Sequence, residues 1–213
     1  FQSCAEALRP QRRALRGAFG IPDDAPVVLF SGKLIPKKRP LALLDAYARV
    51  RRERPCWLLM AGDGGERAAI EERVARDGLP GVRLAGFLNQ SELPNAYSAA
   101  DLLVLPSGWD ETWGLVVNEA LNFSLPVVVS DRVGCAEDLV RPGWNGFVVD
   151  HADVGALARA IATLVAEPGA RAAGRHWGVA PPRTLGVFLI PHLGLPGSTR
   201  SGLKAMKTSL PSS

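Results

Sequence analysis

Glu111 and Glu119 are the residues whose spacing most directly suggests chemistry. A helix is predicted from Gly114 to Phe123, so Glu111 lies in the loop before it and Glu119 about a turn and a half inside. The first N–H groups of a helix can bind phosphate oxygens, and carboxylates can accept ribose or sugar hydroxyl protons. The pair therefore fits a nucleotide sugar lying across the helix end. The alternative is a helix-dipole role for Glu111 and a solvent-facing position for Glu119.

A basic loop at residues 31–39 follows the first predicted strand and leaves that strand through Gly32. It contains four cations: Lys33, Lys37, Lys38 and Arg39. Clustered cations at the end of a strand suit a diphosphate, because ligands of open α/β sheets bind beyond the carboxyl ends of the strands. A solvated basic loop is the alternative, because lysines are mostly exposed.

A short glycine-rich turn at residues 61–65 lies between the second predicted strand and the next helix. Its glycines would let a ligand approach the backbone closely. The same residues also make a good turn in which Asp63 caps the backbone, and we consider this interpretation at least as well supported. The G-x-G-x-x-G dinucleotide fingerprint does not occur in the chain.

The elements that position these loops alternate along the chain between apolar, β-branched runs and amphipathic stretches. Strands are predicted at residues 27–31, 57–61, 82–86, 102–106, 126–130 and 146–149. Helices are predicted at residues 40–52, 66–76, 114–123 and 153–166, with a further one capped by Ser91 and running to Ala100. This pattern predicts an α/β fold, a doubly wound, Rossmann-like parallel sheet of about six units.

Three regions are predicted. A basic helical stretch at residues 5–19 and a turn-rich segment form a connector at residues 1–26, and the sheet domain occupies residues 27–167. Residues 168–213 are rich in Gly, Pro and Ser and have no helical or strand period, so we expect a poorly ordered tail. Its abrupt change of composition suggests a truncated or altered reading frame, which resequencing through this region would test.

Charge and cysteine content narrow the possible functions. The net charge is +4, but all 21 acidic residues lie at or before Glu167 and six of the 25 basic residues follow it, so residues 1–167 carry −2. A basic nucleic-acid-binding face is therefore not expected. The three cysteines have no C-x-x-C spacing, which indicates a reducing, cytoplasmic compartment without a zinc site. Residues 1–19 have neither the apolar run of a signal peptide nor one that could span a membrane, so we expect a soluble chain.

Several segments, taken together, resemble the retaining group 1 (family 4) glycosyltransferases, whose mark is E-x7-E, here Glu111 to Glu119. The matching segments are GKLIPKKRP at 32–40, AGDG at 61–64, LAGFLNQSELPNAYSAADLLVLPS at 84–107, ETWGLVVNEAL at 111–121 and LPVVVSDRVGCAEDLV at 125–140. The resemblance covers roughly residues 10–170. It implies a GT-B fold, of which this chain would be the C-terminal, donor-binding half, with the acceptor domain preceding it in a longer protein.

The resemblance also implies residue roles. Lys33 and Lys38 would neutralise the donor diphosphate, Lys33 standing where arginine is more usual. Glu111 would lie by the transferred sugar and would act only when the acceptor domain is present. Glu119 would bind the ribose. Further donor contacts would come from the backbone near the phosphates: Gly32, Thr112, Trp113, Gly114 and Leu115. No metal or other cofactor is expected, because the cations and the helix end neutralise the leaving diphosphate.

The implied activity is transfer of a sugar, with retention of configuration, from a nucleotide diphosphate sugar to a glycan, lipid or small-molecule acceptor. A lipid acceptor would bring the protein to the cytoplasmic face of the membrane through the acceptor domain. The alternatives are a non-catalytic or degenerate nucleotide-sugar-binding module and a GT-B epimerase or phosphorylase. One departure bears on packing: residues 122–124 replace the small residues ending in glycine that the family usually has before Leu125.

Overall fold

The apolar runs form one six-stranded sheet in which every pairing is parallel. A computed structural model describes residues 2–109 and 111–166. The strands are β1 Val27–Ser31, β2 Trp57–Ala61, β3 Val82–Gly86, β4 Leu102–Leu105, β5 Val127–Ser130 and β6 Gly146–Val149. Their order is β3-β2-β1-β4-β5-β6, so the direction of winding reverses between β1 and β4. The predicted doubly wound sheet is confirmed.

Helices cover both faces of the sheet, which is why the central strands are apolar throughout. The helices are α1 Gln2–Leu8, α2 Arg12–Ala18, α3 Pro40–Glu53, α4 Arg67–Arg76, α5 Leu93–Ala99, α6 Leu115–Asn122, α7 Ala136–Leu139 and α8 Val154–Ala166. The core on one face joins α3, α4 and α8 to alternate strand residues such as Val28 and Phe30. The core on the other face joins α5, α6 and α7 to the residues between them, such as Leu29.

Most predicted elements are confirmed, and three details were wrong. The stretch at residues 5–19 is two helices, because a 3-10 turn that contains Pro10 separates α1 from α2. Ser91 does not cap α5: the residue before the helix is Glu92, and in the turn ahead of it Asn89 Oδ1 accepts the Glu92 N–H at 3.1 Å while Glu92 Oε2 accepts the Asn89 N–H at 3.0 Å. The short α7 was not predicted.

The basic α2 packs against the sheet domain through a buried ion-pair cluster, which we call the Asp101 cluster: Asp101, Arg12, Arg16 and the Val27 N–H. Arg12 donates to Asp101 Oδ1 at 2.6 Å, and Arg16 donates to Oδ2 at 2.7 Å. The Val27 N–H donates to Oδ2 at 2.8 Å. These arginines therefore satisfy a buried carboxylate where β1 and β4 begin, rather than forming a solvated linker surface. That residues 1–26 connect to a preceding domain stays a prediction.

The segment after α6 keeps its packing despite the unusual residues at 122–124. Phe123 stacks on Tyr97 of α5, with ring centroids 5.5 Å apart, and Leu125 is buried. Ser124 has φ +57, in the left-handed region that favours glycine. Close helix-to-strand packing is therefore retained, and the family's usual glycine matches the backbone conformation at position 124.

The predicted tail at residues 168–213 lies outside the described residues. Within the described residues, no helix is long and apolar enough to cross a membrane.

Candidate functional site

The loops that leave β1 and β4 meet at the carboxyl edge of the sheet, where the winding reverses. This is the position where ligands bind in open α/β sheets. The two loops are joined directly, since the Gly108 N–H donates to the Lys37 carbonyl at 2.8 Å. A side chain at Gly108 would lie 2.9 Å from Arg39 Cδ, so this glycine permits the close contact. The predicted basic loop at residues 31–39 and the loop at residues 106–114 that carries Glu111, which we call the acidic loop, therefore form one site.

The turn at residues 61–65 supports the basic loop. The Gly32 N–H donates to the Ala61 carbonyl at 2.9 Å, and the Leu34 N–H donates to the Asp63 carbonyl at 2.9 Å. A Cβ at Gly62 would lie 1.8 Å from the Gly32 carbonyl oxygen. The glycines of this turn thus admit the neighbouring loop, and Asp63 Oδ1 accepts the Gly64 N–H at 2.7 Å, as the turn interpretation predicts.

The two predicted cations occupy different environments. Lys38 lies at the end of a 3-10 turn, Pro36–Lys38, and its Nζ forms an ion pair with Glu111 Oε2. The Lys38 side chain is 17% exposed and that of Glu111 is 11% exposed. Lys33 is exposed and makes no ion pair with the residues that the structure describes. The site therefore holds one restrained cation and one exposed cation.

Glu111 has a second partner that the sequence analysis missed. The fully buried Ser107 donates its hydroxyl to Glu111 Oε2 at 2.8 Å, and the Ser107 carbonyl accepts the hydroxyl of Ser130. The only sequence signal for Ser107 is its place directly after a predicted strand. Glu111 is thus fixed within this domain, and that it needs the acceptor domain to act stays a prediction. Asp110, beside it, lies outside the described residues.

The segment that follows β5 holds the acidic loop from the other side. The Gly134 N–H donates to the Glu111 carbonyl at 2.8 Å, and the Cys135 N–H donates to the Trp113 carbonyl at 2.9 Å. A Cβ at Gly134 would lie 2.0 Å from the Thr112 carbonyl oxygen. Only glycine fits there. Cys135 is a buried neighbour rather than a nucleophile, because burial raises the pKa of its thiol to about 11.

Helix α6 begins one residue later than predicted, and Gly114 is its N-cap with φ +89. A Cβ at Gly114 would lie 2.8 Å from Val133 Cγ1, so the helix start packs tightly against the β5 loop. Among the described residues, the N–H groups of Leu115 and Val116 have no backbone partner, whereas the Val117 N–H donates to the Gly114 carbonyl at 2.9 Å. Thr112, Trp113 and Leu115 are exposed around them. The backbone at this end can therefore receive an anion.

Glu119 is held by a different partner from Glu111. The Tyr97 hydroxyl donates to Glu119 Oε2 at 2.7 Å and also bonds Ser31, the last residue of β1. Burial raises the pKa of Glu119 above its ordinary value, and the Tyr97 hydrogen bond opposes that rise. Burial likewise raises the pKa of Tyr97, so its hydroxyl stays protonated. The two glutamates therefore belong to separate hydrogen-bond networks at the same edge.

Two further features of this edge were not predicted. Large apolar side chains are exposed beside the loops: Phe87, Trp109, Trp113 and Leu115. Among the described residues, Asp131, Asp150 and His151 bring possible metal-ligand atoms within 4.8 Å of one another. His151 Nδ1 already lies 3.2 Å from Asp131 Oδ1 and 3.4 Å from Asp150 Oδ1. That the site needs no metal stays a prediction.

A doubly wound parallel sheet with cations, carboxylates and a helix start at its switch point defines a nucleotide-binding type of α/β domain. The family model for glycosyl transferases group 1 matches residues 11–175. The chain belongs to the group 1 glycosyltransferases.

Curated relatives agree with this assignment. The chain is 36% identical over 173 residues to D-inositol 3-phosphate glycosyltransferase of Mycolicibacterium smegmatis, covering 78% of this chain and 39% of that protein. It is 32% identical over 163 residues to alpha-D-kanosaminyltransferase of Streptomyces kanamyceticus, covering 76% and 42%. The chain thus spans about two fifths of the length of the curated relatives that it matches.

Solved structures show the same fold. Sucrose-phosphate synthase from Thermosynechococcus elongatus aligns with a TM-score of 0.65 at 33% identity, covering 76% of this chain and 41% of that chain. Anabaena HepE, in complex with UDP-glucose, aligns with a TM-score of 0.68 at 28% identity, covering 78% and 45%. The fold is therefore the Rossmann-like α/β fold of glycosyltransferases.

Proposed function

We propose that this chain is the nucleotide-sugar-binding half of a retaining glycosyltransferase and that the donor diphosphate binds between the β1 loop and the start of α6. The observation that carries the proposal is the meeting of Lys38, Glu111 and the helix start at the switch point of the sheet. A cation, a carboxylate and free helical N–H groups are the groups needed to bind a phosphate next to a sugar.

Lys38 and Lys33 neutralise the diphosphate, which is the leaving group of the transfer. As the bond between the sugar carbon and the phosphate oxygen breaks, negative charge grows on that oxygen. Fixed cations and backbone N–H groups at Gly114 and Leu115 stabilise this charge without having to reorganise. Gly32 lets the diphosphate approach the β1 loop, and Thr112 and Trp113 line the other side. The chemistry we propose needs no metal.

Glu119 binds the ribose and Glu111 binds the transferred sugar. Glu119 Oε2 accepts the Tyr97 hydroxyl, which fixes the carboxylate while Oε1 can accept a ribose hydroxyl. Glu111 is fixed by Lys38 and Ser107 beside the proposed phosphate position. A sugar joined to the diphosphate extends from the phosphates toward this carboxylate. The two glutamates thus bind opposite ends of the donor.

The acceptor and the stereochemical outcome concern the longer protein. We propose that a preceding domain binds a glycan, lipid or small-molecule acceptor and that the anomeric configuration is retained. The relatives guide the choice of donors: HepE is described in complex with UDP-glucose, and a mannosyltransferase of M. smegmatis, 35% identical, is named as GDP-mannose-dependent. UDP-glucose and GDP-mannose are therefore the first donors to try.

The test is calorimetric titration of the chain with UDP, GDP, ADP and their sugars. The wild type should bind at least one of them saturably, and Lys38→Ala and Glu119→Ala should each weaken binding roughly 10- to 100-fold, since each removes a charged hydrogen-bond partner. Lys37→Ala is the matched control, because it removes a neighbouring charge from the same turn and should change the affinity less than about threefold. No saturable binding of any of these compounds would refute the proposal.

A second assay separates catalysis from binding alone. In the longer protein, Glu111→Gln should abolish transfer of the sugar. Proton NMR of the product made by the wild-type protein should show the donor's anomeric configuration. Unchanged transfer by Glu111→Gln would favour the non-catalytic binding module, and an inverted product would refute retention.

A further inference from the structure

The oxygen Glu111 Oε2 has two donors of different kinds. Lys38 is a charged amine at the end of a flexible side chain, and it reaches Glu111 from the β1 loop. Ser107 is a fully buried hydroxyl 2.8 Å away, within the loop that carries Glu111 itself. One donor can therefore leave while the other stays.

Ser107 is fixed by its surroundings. Its carbonyl accepts the hydroxyl of Ser130, a fully buried residue at the end of β5, so the start of the acidic loop is tied to the neighbouring strand. The backbone around Glu111 is held by the Gly134 N–H at 2.8 Å. The hydroxyl of Ser107 is thus a preorganised donor whose position does not depend on Lys38.

If the proposed function is correct, Lys38 must pair with two different anions. It is paired with the Glu111 carboxylate, and the donor diphosphate requires the same cation. A diphosphate must therefore compete with Glu111 for the charge of Lys38, because one ammonium has three N–H donors but a single positive charge, which cannot neutralise two anions in a half-buried site. The negative charge of Glu111 then opposes binding of a nucleoside diphosphate that carries no sugar.

We propose that Ser107 is a positioning residue that holds Glu111 in place while Lys38 exchanges between Glu111 and the donor diphosphate. This inference rests on the proposed function and adds to it a residue that lowers the free energy needed to move Lys38 from Glu111 to the diphosphate. Among the described residues, Lys38 would be the one remaining donor to the Glu111 carboxylate without Ser107, and drawing Lys38 away would then remove that donor from a half-buried charge. Ser107 therefore favours donor binding without touching the donor.

One substitution at the site should strengthen nucleotide binding rather than weaken it. Glu111→Gln should bind the nucleoside diphosphate roughly three- to tenfold more tightly than the wild type, because the amide keeps the Ser107 hydrogen bond but competes weakly for Lys38. Glu119→Gln is the matched control. It should weaken binding of the nucleoside diphosphate, because it neutralises a carboxylate that we propose contacts the nucleotide.

The role of Ser107 is tested by asking whether the effect of substituting it depends on the charge of Glu111. Ser107→Ala should weaken nucleoside diphosphate binding roughly three- to tenfold in the wild-type background, since it makes Glu111 harder to separate from Lys38. In the Glu111→Gln background the same substitution should change the affinity less than twofold, because the competing charge is gone. Ser107→Thr, which keeps a hydroxyl, should restore most of the wild-type affinity. A general structural defect would weaken both backgrounds equally.

The experiment is isothermal titration of the wild type and these variants with whichever of UDP, GDP and ADP binds the wild type, with urea unfolding of each variant to confirm that it folds. Tighter binding by Glu111→Gln, together with a Ser107 effect confined to the Glu111 background, is the expected result. A different result would overturn this inference and leave the proposed function standing: the wild type binds, Lys38→Ala binds more weakly, and Glu111→Gln binds no more tightly than the wild type. Failure of UDP, GDP, ADP and all of their sugars to bind the wild type would overturn both.

Discussion

The two edges of the sheet each hold a carboxylate paired with basic side chains, and the pairs differ in how completely they are enclosed. At the amino edge, Asp101 and Arg16 have side chains that are 3% and 4% exposed, and both oxygens of Asp101 have partners. At the carboxyl edge, Lys38 is 17% exposed, and both partners of Glu111 within the described residues bind one oxygen. The first arrangement is closed, and the second can admit a further ligand.

This difference separates a pair that stabilises the fold from a pair that can exchange partners. Arg16 also donates to the carbonyls of Ala99 and Ala25, both at 3.0 Å, so its charge is satisfied several times over. The oxygens of Asp101 and the guanidinium of Arg16 are occupied by partners within the fold, and breaking the cluster leaves a buried charge. A pair at a switch point that has one flexible cation and spare acceptor capacity is suited to binding instead.

The largest effect is expected at the amino edge. Asp101→Ala should lower the free energy of unfolding by about 3–5 kcal/mol, because Arg16 would keep its charge in a buried position without its carboxylate. Urea unfolding followed by circular dichroism measures this. Asp23→Ala removes the partner of an exposed pair with Arg13 and should cost about 1 kcal/mol or less. Equal costs for the two variants would mean that the Asp101 cluster is not structural.

A substitution beneath the acidic loop should have the next largest effect. Gly134→Ala should lower the free energy of unfolding by about 1–3 kcal/mol and weaken donor binding, because its methyl group would displace the Thr112 carbonyl and with it Glu111. Urea unfolding and calorimetric titration check both effects. Gly17→Ala is the control: no atom lies within 4 Å of a Cβ at this helical glycine, so the variant should be no less stable than the wild type. A fully stable, fully binding Gly134→Ala would contradict this account of the loop.

Stability should be much less sensitive to the pair at the carboxyl edge. Glu111→Gln should change the free energy of unfolding by about 1 kcal/mol or less, since the amide oxygen can still accept from Ser107 and Lys38 can turn toward water. The measurement is the same urea unfolding. A loss as large as that of Asp101→Ala would remove the distinction between the two edges.

The smallest effect concerns pH and Glu119. Burial raises the pKa of Glu119 in the folded chain, so the folded state binds more protons than the unfolded state just above pH 4.5, the ordinary value. The stabilising contribution of the protonated form is therefore present at low pH and is lost as the pH rises through the raised pKa. Glu119→Gln should lack this pH dependence. Identical pH profiles of unfolding for the two proteins would show that folding does not raise the pKa of Glu119.

The strands and the position of the site could be predicted from the sequence, but the hydrogen bonds around the site could not. Strand positions followed from short apolar runs, and the meeting of the Lys38 and Glu111 loops followed from their places after β1 and β4. Ser107 could not be assigned, because a serine after a strand has no pattern of its own until the partner carboxylate is located. The role of Arg16 was missed because a basic helix gives no sign of which face is buried. Its partner, Asp101, lies 85 positions away.

The positions of the two edges permit one direct test of donor binding. Wild-type chain labelled with nitrogen-15 can be titrated with UDP and GDP while its amide resonances are followed. Saturable shifts are expected at Gly32, Gly114 and Leu115, with the amides of Val27 and Asp101 unchanged. Saturable shifts confined to the amino edge, or none at either edge with both nucleotides, would mean that the donor does not bind at the carboxyl edge.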